Sequence, residues 1–215
     1  MKIFLDLDGT ILDVSLRYYR IYSDALKALG GESVGMEAYW EMKKERVPED
    51  RIAGLEGAAF EKYSAERTAK MESAEYLALD TLLDGACDTI RGLSESHELF
   101  IVTMRKKRGL LIDQLVGLGV YGSFTGVFNA GENSDPLGAK ASAMRSFNAV
   151  PGRDIMVGDT EIDIRAGKAS GLQSCAVLTG IRSERLLRLE NPDFVIDSIN
   201  QLSRSVIDEC AFPRP

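Results

Sequence analysis

The chain has 215 residues, is 45% hydrophobic and 27% charged, and carries a formal net charge of -7. That length and balance suit a globular core, with or without a smaller insertion. The acidity excludes general nucleic-acid binding, which needs clustered Lys and Arg, and no apolar run reaches the roughly 18 residues a membrane span requires.

No nucleic-acid or membrane partner is therefore expected, and the chain is read as a monomer or homodimer. A small anionic substrate stays open, because a local positive site can outweigh net charge. The N-terminus has no signal-peptide shape, and Cys87, Cys175 and Cys210 are widely spaced, so a reducing cytoplasmic setting is expected. The single histidine, His97, is read as a surface residue, which sets aside histidine-based metal or triad chemistry.

The chain opens on Lys2-Ile3-Phe4-Leu5-Asp6-Leu7-Asp8-Gly9-Thr10, an apolar strand followed by two carboxylates two residues apart. Strand residues i and i+2 share a face, so Asp6 and Asp8 can converge on one point. By itself the pair also admits a plainer reading, as acids that cap a turn or face water.

Helical periodicity follows over about 15–29, with Ser15 as N-cap and Gly30-Gly31 as the stop, and again over 36–46. Val47-Pro48-Glu49-Asp50 breaks the pattern, and further helical pieces cover about 55–70 and 72–79. No strand is expected between about 14 and 80. Beyond Thr81, helices are expected at about 85–94, 107–118, 139–148, 160–169, 183–189 and 198–208. Strands are expected at 98–103, 124–128, 154–157, 174–178 and 194–196, with a polar loop from Asn129 to Gly138. Alternating strands and helices indicate an α/β fold, with a Rossmann-like parallel sheet and helices on both faces. The core is assigned to 1–13 and 81–215, with an all-helical insertion over 14–80.

In open parallel sheets ligands bind beyond the carboxyl ends of the strands. Those ends carry Asp6 and Asp8, then Thr103, then Lys140 through a loop, then Asp159 with Glu161 and Asp163 just after it. Clustered carboxylates without histidine or cysteine suit a hard cation, most naturally Mg2+. A lysine and a hydroxyl at the same point suit the oxygens of a transferring phosphoryl group. One aspartate can attack phosphorus while a second moves the proton.

These residues resemble the haloacid-dehalogenase-like hydrolase superfamily. Asp6-Leu7-Asp8-Gly9-Thr10 matches its first motif, Thr103 the second, Lys140 the third, and Gly158-Asp159-Thr160-Glu161-Ile162-Asp163 the fourth. The resemblance implies Asp6 as nucleophile and Asp8 as general acid/base, with Thr103 and Lys140 holding the phosphoryl group. It implies a Mg2+ set of Asp6, Asp8 through its backbone carbonyl, Asp159, and Asp163 in a supporting position. The insertion is similar to the cap of the phosphoglycolate-phosphatase-like branch. The third motif departs from the family, because Asp135-Pro136 precedes Lys140 by several residues instead of a Lys-Pro pair. Lys106 and Lys107 therefore stand as alternative amines.

Rival motifs fail on spacing. Thr10 and Ile11 exclude an EF-hand loop, and Ala139 stands between Gly138 and Lys140 where a P-loop allows nothing. Arg105, nearest Thr103 in a run of four basic residues, is a candidate for attracting the substrate anion. Glu161 reads as a first-turn helix acid. The expected activity is Mg2+-dependent hydrolysis of a small phosphorylated metabolite, with a sugar phosphomutase and a non-catalytic scaffold as alternatives.

Overall fold

The computed structural model describes residues 1–131 and 135–202, together with Ile207. Its elements run in the order β1 (Lys2–Leu5), β2 (Leu12–Asp13), α1 (Ser15–Ala28), α2 (Met36–Lys44), α3 (Glu49–Ala53), α4 (Gly57–Met71) and α5 (Ala74–Leu77). They continue with β3 (Thr81–Leu82), α6 (Ala86–Ser94), β4 (Glu98–Thr103), α7 (Arg108–Gly117), β5 (Gly126–Asn129) and α8 (Pro136–Ser146). The last are β6 (Ile155–Gly158), α9 (Glu161–Ala169), β7 (Gln173–Val177), α10 (Glu184–Arg188) and β8 (Phe194–Ile196), followed by a 3-10 turn at Ile199–Gln201. Two compact units result, one of Met1–Asp13 with Leu82–Pro215 and one of Val14–Thr81.

The first unit is built on a six-stranded sheet in the order β5-β4-β1-β6-β7-β8, with every pairing parallel. β1 lies centrally, with Leu5 registered against Ile101 on one side and Val157 on the other. Ile3, Phe4 and Leu5 are all fully buried, as a strand covered on both faces requires. On one face Phe4, Phe100, Val102 and Met156 pack with Ala143 and Met144 of α8 and Ala166 of α9. Phe4 and Phe100 stack there at 5.2 Å between ring centroids. The expected fold class is the observed one.

The second unit is helical. Its core gathers Tyr22, Ala25, Leu26, Tyr39, Ile52 and Tyr63, with Tyr22 and Tyr39 stacked at 4.5 Å. Arg17 and Asp80 form a buried ion pair, Nε to Oδ1 2.8 Å. Here the α1 N-cap is Val14, not Ser15, and makes no side-chain capping bond. The expected break is observed between α2 and α3, but it ends at Pro48, the N-cap of α3, so Glu49 and Asp50 are already helical.

Several boundaries in the first unit also move. α8 begins at Pro136, three residues before the expected start, because the Asp135 carboxylate accepts the Gly138 N–H at 2.7 Å and proline occupies the first turn. α7 begins at Arg108, which leaves Arg105, Lys106 and Lys107 in the connecting loop. His97 is half-buried. The expected helix over 198–208 is replaced at its start by the 3-10 turn. Its later part apart from Ile207, together with Cys210 and the middle of the 129–138 loop, lies outside the described residues. Among the described residues no helix is long and apolar enough to cross a membrane.

Candidate active site

The site lies at the carboxyl edge of β1, β4 and β6. Asp6 is the first residue past β1, and its N–H still bonds the Val157 carbonyl at 2.9 Å. The backbone is therefore held in the sheet at the point where the carboxylate emerges. Asp6 keeps 7% of its surface accessible, enough to be reached from one side. Beyond it the chain turns sharply, with the Leu7 carbonyl accepting from the N–H groups of Ile11 and Leu12 at 3.0 Å each. Gly9 sits in that turn at φ +79°, where a Cβ would stand 2.6 Å from Oδ2 of Asp159. Glycine is thus required twice over, by the backbone conformation and by the close approach.

Lys140 reaches Asp6 from α8. Only 3% of it is exposed, and its ammonium donates to Oδ1 of Asp6 at 2.5 Å and to Oδ1 of Asp163 at 2.5 Å. Asp163 is the N3 residue of α9 and closes a capping box, its Oδ2 accepting from the Thr160 N–H at 3.0 Å and the Thr160 hydroxyl at 2.6 Å. Both Asp163 oxygens are thus engaged. Lys106 and Lys107 are exposed, whereas Lys140 is the amine that touches Asp6.

Asp159 follows β6. Its Oδ2 accepts the Ile181 N–H at 2.8 Å, while its buried Oδ1 has no hydrogen-bond partner among the described residues. One oxygen from each of Asp6, Asp159 and Asp163 lies within 4.8 Å of the others. Burial pushes the Asp6 carboxyl up to about 7, the Lys140 ammonium opposing the rise and the Asp163 charge adding to it. Burial, with the charges of Asp6 and Asp163, also lifts Asp159 well above the usual carboxylate range. Burial alone would lower Lys140, but Asp163 and Asp6 outweigh it and hold the ammonium more firmly charged than usual. Three buried carboxylates against one amine leave a cluster short of positive charge. An oxygen-only donor set with one orphaned carboxylate oxygen is what a hard divalent cation fits.

Thr103, 2% exposed, ends β4, and its hydroxyl accepts the Arg105 N–H at 3.4 Å. The Asp8 carboxylate turns away from the Lys140 cluster to Arg105, with Nε 3.2 and 3.1 Å from its two oxygens and Nη2 2.5 Å from Oδ1. Arg105 is itself buried, and its Nη1 donates to Oε1 of Gln114 at 2.5 Å. The site residues thus form two groups, Asp6, Asp159, Asp163 and Lys140 in one, and Asp8, Arg105 and Gln114 in the other. Glu161, the first-turn acid of α9, accepts from Arg182 at 2.8 Å. Gln114 and Ile181 did not stand out in the sequence. A helix glutamine and a backbone N–H carry no chemical pattern of their own.

Residues 138–202, the stretch holding Lys140, Asp159 and Asp163, match the HAD-hydrolase-like family. A phosphoglycolate phosphatase of Pseudomonas putida is 26% identical over 221 residues, covering 98% of this chain and 80% of that protein. The chain thus resembles the haloacid-dehalogenase-like hydrolases. Its full-length relatives place that resemblance on the side of the phosphoglycolate phosphatases. The pyrophosphatase PpaX of Halalkalibacterium halodurans is 25% identical over 93% of this chain and 94% of its own length. A haloacid dehalogenase-like hydrolase from Streptococcus pneumoniae shares the fold at a TM-score of 0.78 and 21% identity, covering 94% of this chain and 95% of that one.

Proposed function

We propose that this phosphatase hydrolyses a small phosphate monoester through an aspartyl-phosphate on Asp6. The observation that carries the reading is the pairing of a reachable Asp6 with Lys140 beside the orphaned Oδ1 of Asp159. Asp6 attacks phosphorus and the ester P–O bond breaks, with Asp8 donating a proton to the departing oxygen. Water then attacks the phosphorus and gives its proton to Asp8. The P–O bond to Asp6 breaks, releasing inorganic phosphate and the free carboxylate. Lys140 and the Thr103 hydroxyl hold the phosphoryl oxygens, and Lys140 also offsets the charge that builds on them.

Asp6, Asp159 and the Asp8 carbonyl would hold Mg2+, and Asp163 would keep Lys140 in place. When bound, the cation supplies charge neutralisation for the acids and the phosphate together. The helical unit Val14–Thr81 enters the sequence directly after the segment bearing Asp6 and Asp8. That position supports reading it as a cap that selects the leaving group. The names of the relatives put phosphoglycolate first among esters to test, with inorganic pyrophosphate as the comparison.

The test is phosphate release from a panel of phosphorylated small molecules with and without Mg2+. Asp6→Asn is expected to abolish turnover, and EDTA to silence the wild type reversibly. Turnover by Asp6→Asn near the wild-type rate would remove Asp6 as nucleophile.

A further inference from the structure

We infer that Arg105 is a positioning residue for Asp8, and that Gln114 in turn fixes Arg105. The inference rests on the reading of Asp8 as the group that moves the proton. Asp8 is bridged to Leu12 just before the Gly9-Thr10 turn, and its side chain is 21% exposed, so packing alone does not fix the carboxylate's plane. The guanidinium does. Its Nε and Nη2 edge meets both Asp8 oxygens, the planar, two-pronged geometry in which arginine fixes a carboxylate's plane and lysine does not.

The arginine is held in turn. Its side chain is 3% exposed, its Nη1 is bonded to Gln114 on α7, and its own N–H is bonded to the Thr103 hydroxyl. A guanidinium with Nε, Nη1 and Nη2 all bonded to protein groups is built to orient. The loop basic residues next to it, Lys106 and Lys107, are by contrast exposed. Asp8 and Arg105 are 97 positions apart, so the contact joins the loop after β1 to the loop after β4. Thr103 supports both its own hydroxyl function and the arginine that aims Asp8.

A role in aiming the proton donor has a signature that phosphate binding lacks. An ester whose leaving group departs without a proton does not need an aimed acid for bond cleavage. Arg105→Met and Gln114→Leu are compared with wild type on an alkyl phosphate and on 2,4-dinitrophenyl phosphate. On the alkyl ester, Arg105→Met is expected to lower kcat/KM by roughly 100-fold, the scale of lost general acid catalysis. On the dinitrophenyl ester kcat/KM is expected to stay within about threefold, while kcat and KM fall together because water attack still needs Asp8. Gln114→Leu shifts the same ratio in the same sense by a smaller factor, and Arg105→Lys restores it only in part.

Equal losses on the two esters, or a loss carried by a raised KM, overturn the inference and make Arg105 a phosphate contact or a structural residue. Asp8→Asn is the control. If it discriminates the esters and the Arg105 and Gln114 variants do not, the inference alone fails. If Asp8→Asn does not discriminate them, the reading of Asp8 fails and the inference falls with it. Should Arg105→Met not fold, judged by circular dichroism, the ester ratio of Gln114→Leu decides.

Discussion

Nζ of Lys140 lies 2.5 Å from Oδ1 of Asp6, and the same ammonium is 2.5 Å from Oδ1 of Asp163. One buried amine thus keeps two buried acids compatible. Lys140→Met leaves them facing each other with Asp159 alongside. The expected loss in kcat is roughly 10²- to 10³-fold, as for removal of one preorganised donor. Stability is expected to fall by about 3 kcal/mol at neutral pH, because a broken buried pair leaves its charges uncompensated. Lys140→Arg rescues little, since a guanidinium does not fit where the ammonium is enclosed. Phosphate release and urea unfolding check both effects, and kcat within tenfold of wild type would contradict the assignment.

Asp159 depends on what does not stand beside it. A Cβ on Gly180 would collide with the Asp159 carboxylate, whose Oδ2, Cγ and Cβ are its nearest atoms. Gly180→Ala is therefore expected to push that carboxylate off the Ile181 N–H and out of line with Asp6. A displacement on the order of 1 Å at a reacting centre costs about 10²-fold in rate. The variant should also need more Mg2+ for half-maximal activity. An unchanged Mg2+ requirement would show that Asp159 tolerates the shift.

The strand ends and the polar residues on them were legible because alternating strands and helices leave few topologies for a parallel sheet. Asp6, Thr103 and Asp159 close three strands that the sheet places side by side, β4, β1 and β6. The pairing of Asp8 with Arg105 was not legible. It spans 97 positions and depends on a loop conformation that Arg105 shares with two other basic residues. The helix starts failed for a local reason, since Asp135-Pro136 begins α8 before any apolar periodicity does. The short helix after Pro48 escaped notice because its five residues, Glu49–Ala53, are too few to show a helical periodicity.

In the helical unit, the Arg17–Asp80 pair has side chains 1% and 0% exposed, and Arg17 Nη1 also donates to the Met71 carbonyl at 2.9 Å. Asp80→Ala strands a buried guanidinium and is expected to destabilise the unit by about 3–5 kcal/mol. Replacing both partners with apolar residues, Arg17→Met with Asp80→Leu, is expected to cost less than either single change. Urea unfolding of the three variants measures the difference. A double variant as unstable as the sum of the singles would mean that the pair does more than satisfy itself.

Asp154 gives the pH dependence a sign. Its carboxylate is fully buried just before β6, and Oδ1 accepts the Lys2 N–H at 2.9 Å and Arg153 Nε at 3.0 Å. Oδ2 accepts the Val150 N–H at 2.7 Å. Burial alone would raise its pKa, but the bonds from Lys2, Arg153 and Val150, with the Arg153 charge, outweigh it and hold the group below its ordinary 3.8. A carboxylate depressed in the folded state contributes stability above its unfolded pKa, because the unfolded chain takes up the proton first on acidification. That contribution is present at neutral pH and is lost as pH falls below 3.8 and through the lower folded value. Asp154→Asn keeps the shape but turns one acceptor into a donor facing an N–H. It is expected to cost about 1–3 kcal/mol at pH 7. The gap between wild type and variant should hold down to about pH 5 and close below about pH 4. Urea unfolding of both proteins at each pH gives the gap directly, the other titrating groups cancelling in the difference. A gap that stayed constant, or widened on acidification, would mean that Asp154 is not held as a carboxylate by these three donors.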